Sequence, residues 1–125
     1  MDRSELKTFQ VLLIERREEI LGEAERTVGG MTDSKETFPD PTDRASLESE
    51  RNALLRIRDR ERKLLGKIDE ALLRIADGSY GVCESCGGAI AIERLRARPV
   101  TTQCIDCKAA EEEEERRQRM RTLIS

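Results

Sequence analysis

The sequence predicts a mainly α protein: a long antiparallel two-helix coiled coil, a small four-cysteine module and a C-terminal helix. Three observations predict it. Two apolar stripes at near-heptad spacing are separated by a short stretch rich in helix-stop and helix-start residues. All four cysteines fall in two Cys-x2-Cys pairs, Cys83/Cys86 and Cys104/Cys107, with seventeen residues between them. Charged residues make up 39% of the chain and apolar ones 37%, with two Phe, one Tyr and no Trp. Side chains of that kind cannot fill a broad core, so narrow helix seams must carry the stability.

Residues 1–30 read as the first helix of the coil. Leu6, Phe9, Leu13, Ile20 and Ala24 form its stripe, and Arg16, Arg17, Glu18 and Glu19 its exposed flank. Asp2 followed by Glu5 predicts the start, and Gly29-Gly30 predicts a stop. Residues 31–40 show no helical pattern and include Pro39, so the chain turns there and makes the tip of the coil. Residues 41–77 read as the second helix, with Asp40 able to cap, Pro41 at the first helical position and Asp43 in the first turn. Its seam is Leu47, Leu54, Leu65, Ile68, Leu72 and Ile75, interrupted in the middle by Arg58 and Glu61, and Asp77-Gly78 ends it. A short turn between two long helices predicts an antiparallel hairpin.

Residues 78–108 hold the cysteines. Two Cys-x2-Cys pairs at this separation have zinc-ribbon spacing, because each pair folds into a tight knuckle offering two thiolates and two knuckles complete a tetrahedron. Tyr80-Gly81-Val82 before the first pair and Gly87-Gly88 after it suit such knuckles. Two disulfides would need an oxidising compartment, and Met1 to Lys7 is charged from its second residue rather than signal-like. A redox pair would ask for one such motif beside a βαβ unit, and iron–sulfur clusters usually have closer or less symmetric spacing. With four sulfur ligands no coordination position is left for water, so one structural Zn2+ is expected. Ala89-Ile-Ala-Ile92 is an apolar run of strand length. Residues 109–125 read as a solvated C-terminal helix, with glutamates at 111 to 115 ahead of Arg116, Arg117, Arg119 and Arg121, as the helix dipole favours.

Composition also excludes functions. The 23 basic and 26 acidic residues are interspersed, for a net charge of −3, which argues against simple attraction to nucleic-acid phosphates. A run long enough to cross a membrane is missing, and metal-binding thiols fit a reducing cytoplasm. The chain has no His, no nucleophile with an adjacent base and no phosphate-cradling glycine loop, so no enzyme is expected. At the tip, Asp40 and Asp43 fall three residues apart on one side of a helical turn. Capping accounts for them at about 1 kcal/mol; delivery of two carboxylates to a partner's metal or basic loop is the sharper account.

Phe38-Pro-Asp-Pro-Thr-Asp-Arg-Ala-Ser46, Arg58-Asp-Arg-Glu-Arg-Lys-Leu64, Tyr80-Gly-Val-Cys-Glu-Ser-Cys-Gly87, Leu95-Arg-Ala-Arg-Pro99 and Cys104-Ile-Asp-Cys-Lys108 together resemble the DksA/TraR family, in that family's order from about Leu6 to Lys108. The resemblance implies a bacterial transcription regulator, acting as a monomer, that binds RNA polymerase rather than specific DNA. It implies that the coiled coil enters the polymerase's secondary channel and modulates initiation together with ppGpp, repressing ribosomal RNA promoters among others. It assigns Asp40, Asp43 and Ala45 to the acting tip, Arg60 to polymerase contact, and Lys67, Arg98 and Lys108 to a ppGpp site at the polymerase interface. Ile57 and Thr37 depart from the best-known members, which carry Asn there. Two alternatives stay open: a Gre-like transcript-cleavage or elongation factor, and a zinc-ribbon nucleic-acid-binding protein.

Overall fold

The structure is a computed structural model that describes residues 1–33 and 41–124, and the backbone alone of 24, 26–33 and 41. Four helices follow one another: α1 (Arg3–Asp33), α2 (Pro41–Asp77), α3 (Ile92–Ala97) and α4 (Ile105–Ile124). Among the described residues there is no strand, and no helix is long and apolar enough to cross a membrane. The chain divides into two compact units, one of Met1–Phe9 with Glu70–Ser125 and one of Gln10–Asp69.

Gln10–Asp69 is a helix pair. Only a few residues separate Asp33 from Pro41 in the sequence, and Arg17 midway along α1 meets Asp69 late in α2 at 2.9 Å. They therefore run antiparallel. Leu13, Ile20 and Ile68 are fully buried along the seam, because their spacing brings them to one face of each helix. Along α2, Leu47 and Leu65 are half-buried, and Leu54 is 38% exposed. At heptad spacing with these residues stand Arg51, Arg58 and Glu61, all half-buried. Arg17, expected on the exposed flank, is half-buried instead, since its guanidinium leans across to Asp69.

Several boundaries differ from the sequence reading. The helix runs through Gly29-Gly30 to Asp33. Glycine ends a helix when it turns left-handed; in right-handed backbone it costs only about 1 kcal/mol relative to alanine. The expected turn at 31–40 thus begins no earlier than residue 34, and residues 34–40 lie outside the described residues. Asp2 does start α1, its Oδ1 accepting the Glu5 amide at 2.8 Å. Ala89 to Ile92 is not a strand. Ala89 makes one isolated antiparallel bridge to Val82, and Ala91 already serves as N-cap of α3, so a second rung has no room. The last helix begins at Ile105, inside the second cysteine pair, where the Lys108 amide bonds the Cys104 carbonyl at 3.0 Å.

In the other unit, Phe9, Ala71, Tyr80, Cys83, Ile90 and Leu95 are buried. The rings of Phe9 and Tyr80 lie 5.6 Å apart and tilted at 52°, within the range of favourable aromatic contacts. Tyr80 donates its hydroxyl to the Pro99 carbonyl at 2.8 Å, and burial pushes the phenol up to about 12. The end of α2 is closed by Gly78 at φ +84°, with the Ser79 and Tyr80 amides bonding the Arg74 carbonyl. Asp77 Oδ1 accepts from the Ser79 hydroxyl and amide, which holds the Asp77 carboxyl below its ordinary range. α4 buries no residue, as its charge pattern led one to expect.

Candidate functional site

The two knuckles are shaped by backbone before any ligand is considered. Gly81 and Gly87 both sit at positive φ, +84° and +75°, which side chains with a Cβ rarely adopt. At Gly81 a Cβ would also stand 2.5 Å from the Met1 side chain. These turns let the Cys83 amide bond the Gly88 carbonyl (2.8 Å), the Gly87 amide the Cys83 carbonyl (2.9 Å) and the Ile90 amide the Gly81 carbonyl (2.8 Å). The first pair is thereby folded back on itself. In the second, the opening of α4 aims the Cys107 amide at Cys104 Sγ (3.5 Å), matching the Gly88 amide at Cys86 Sγ (3.4 Å).

All four Sγ atoms lie within 4.8 Å of one another, and all four cysteines are free thiols. Cys86 and Cys104 stand 3.9 Å apart, beyond disulfide length. Sulfurs bound at about 2.3 Å around one tetrahedral zinc ion lie about 3.8 Å from each other, so the cluster has the dimensions of a four-thiolate zinc site. Its electrostatics agree. Backbone amides, first that of Cys104, pull the Cys83 thiol down to about 6, while the neighbouring sulfurs, first that of Cys104, push Cys107 up to about 12. Four negative sulfurs cannot share this space without a cation among them, and a zinc ion supplies one. The amides aimed at Cys86 and Cys104 orient those ligands, and the coordination sphere of four sulfurs is closed, so the metal is structural.

The remaining residues singled out in the sequence are not among the four clustered thiols. Asp43 is exposed in the first turn of α2 and Ala45 is exposed beside it, while Asp40 and Thr37 lie outside the described residues. Arg60 is exposed on α2 and borders a shallow depression with Asn52, Leu55, Arg56 and Asp59. Ile57 is 45% exposed on the same helix. Lys67 is exposed in the helix pair, whereas Arg98 and Lys108 belong to the unit that holds the cysteines. Arg98 is exposed and closes α3 with its amide on the Arg94 carbonyl at 2.8 Å. Lys108 is half-buried, with Nζ 3.6 Å from Glu111, and the Gln103 amide group holds the Glu111 carboxyl below its ordinary range. The sequence reading missed the pairing of Arg74 with Glu84 and the bonds of Thr102 and Gln103; polar residues flanking cysteine knuckles were the available signal.

Comparison with known proteins agrees with this geometry. Residues 5–75 match the N-terminal domain of the DnaK suppressor protein DksA, and residues 78–113 match the prokaryotic dksA/traR C4-type zinc finger. The RNA polymerase-binding transcription factor DksA of Escherichia coli (strain K12) is 46% identical over 112 residues, covering 90% of this chain and 74% of the relative. The protein of that name from Caulobacter vibrioides (strain NA1000 / CB15N) is 45% identical over 120 residues, covering 96% and 82%. Among solved structures, transcription factor DksA2 from Pseudomonas aeruginosa superposes with a TM-score of 0.84 at 40% identity, covering 93% of this chain and 89% of that one. On the matches to both its helical and its cysteine-bearing parts, the chain belongs to the DksA/TraR family.

Proposed function

We propose that this chain is a non-enzymatic bacterial transcription regulator that acts by binding RNA polymerase. It would enter through the secondary channel with its helix pair, bring the tip residues Asp40, Asp43 and Ala45 near the active centre, and modulate initiation together with ppGpp. Arg60 would contact the polymerase, and Lys67, Arg98 and Lys108 would offer cations to the phosphates of ppGpp at the interface. It would work as a monomer in the cytoplasm, with zinc holding the cysteine-bearing module together.

The observation that carries this reading is the 45–46% identity, over most of the chain, to relatives whose names state RNA polymerase binding. Asp43, Arg60 and Lys67 are all solvent-exposed, so a second protein can reach them. The test is abortive initiation by the host polymerase at one ribosomal RNA promoter and one amino-acid biosynthetic promoter, with and without ppGpp. Repression of the first is expected, deeper with ppGpp. Asp43→Asn is expected to abolish repression while helicity and polymerase affinity stay near normal. Undiminished repression by Asp43→Asn would remove the tip from the mechanism, and RNA shortening in backtracked complexes with magnesium would point to a cleavage factor instead.

A further inference from the structure

Glu84 stands between two cysteine ligands in sequence, yet its bonds run to two other elements. Arg74 Nη2, in the last turn of α2, donates to Glu84 Oε2 at 3.0 Å. Thr102 Oγ1 donates to Glu84 Oε1 at 3.0 Å, and the Glu84 amide donates to the Thr102 carbonyl at 2.9 Å. Thr102 is two residues ahead of Cys104, and the Arg74 carbonyl takes the Ser79 and Tyr80 amides that close α2. A second rung lies beside the first, where Gln103 Nε2 donates to Ser85 Oγ at 3.0 Å and to Glu111 Oε2 at 2.7 Å. One carboxylate thus joins the first knuckle, the approach to the second and the end of α2.

We infer that Glu84 is a positioning residue for the metal centre, holding the second knuckle against the first and both against α2. The Arg74 and Glu84 side chains are 24% and 49% exposed, so as an ion pair alone the contact is worth little. Its leverage is kinetic. Zinc leaves a four-sulfur site one bond at a time, and a freed knuckle that stays tethered keeps its thiolate at high local concentration beside the ion. Without the tether the knuckle swings away and the remaining bonds follow.

The experiment follows transfer of zinc from the loaded full chain to the chromogenic chelator 4-(2-pyridylazo)resorcinol, with amide hydrogen exchange of Ser79 and Tyr80 measured alongside. Glu84→Ala is expected to speed transfer about tenfold. Glu84→Gln keeps an acceptor for Thr102 but loses the charge facing Arg74, and is expected to speed it about threefold, as is Arg74→Ala. In all three variants the Ser79 and Tyr80 amides are expected to exchange faster. Transfer within about twofold of the parent in all three, with a slightly lower melting temperature at most, is the behaviour of an ordinary surface pair and would overturn the inference. Should Glu84→Ala fail to hold zinc, Glu84→Gln and Arg74→Ala decide it alone. The outcome is independent of the polymerase reading, since neither partner nor promoter enters the assay.

Discussion

In the unit that carries the cysteines, Phe9, Ala71, Tyr80, Ile90 and Leu95 are buried, the side chains of Tyr80 and Arg94 bond the backbone carbonyls of Pro99 and Gln103, and Thr102 bonds the Glu84 carboxylate. In Gln10–Asp69 the buried side chains among the described residues are Leu13, Ile20 and Ile68, and an ion pair from Arg17 to Asp69 crosses between the helices. Elsewhere along that seam Arg51, Arg58 and Glu61 are half-buried. Both regions face the same shortage of large apolar residues. One answers it with a metal and short-range cross-links, which fix irregular backbone; the other relies on hydrogen bonds internal to each helix and adds a few buried side chains. Metal binding should therefore govern the first and single core residues the second.

The largest effect expected from that contrast is at a ligand. Cys104→Ser removes one of four thiolates, and the binding free energy of a structural zinc, on the order of 10 kcal/mol, is folding free energy here. Amide signals of residues 78–108 should collapse toward random-coil positions, with zinc content falling below one ion per chain; dispersed signals without zinc would break the comparison. Next, Ile68→Ala should cost about 3 kcal/mol, measured by urea unfolding followed by helical circular dichroism. A cost under about 1 kcal/mol would mean that the helix pair does not depend on its few buried residues. The smallest effect is at Tyr80, whose phenol is raised by burial from 10.0 to about 12. The fold favours the neutral form, so this contribution is complete below pH 10 and is lost as pH climbs from 10 toward 12. In Tyr80→Phe that decline of melting temperature should flatten; an unchanged slope would place the titration elsewhere.

Where local chemistry alone decides the structure, the sequence was legible. Pro41 opens α2, Gly78 at positive φ closes it, and the Cys-x2-Cys spacing brings four sulfurs together. The stripe of Phe9, Leu13 and Ile20 is buried as its period requires. Where competing terms decide, it was not. Gly29-Gly30 carries a stop signal that the helical backbone overrides, and Ala89 to Ile92 has strand composition but space for one bridge only. Arg17 shows nothing in its own neighbourhood that points to Asp69, fifty-two residues away. The link from Arg74 to Glu84 is of the same kind, set by how two turns meet rather than by any pattern along the chain.

The charged positions inside the seam also bear on alignment. A helix pair with uniform leucines could slide by seven residues and keep most of its apolar overlap. Arg58 and Glu61 at core spacing forbid that shift, because any slipped alignment would press leucine stems against charge. The pair accepts a weaker middle and in return has one way to line up its two helices.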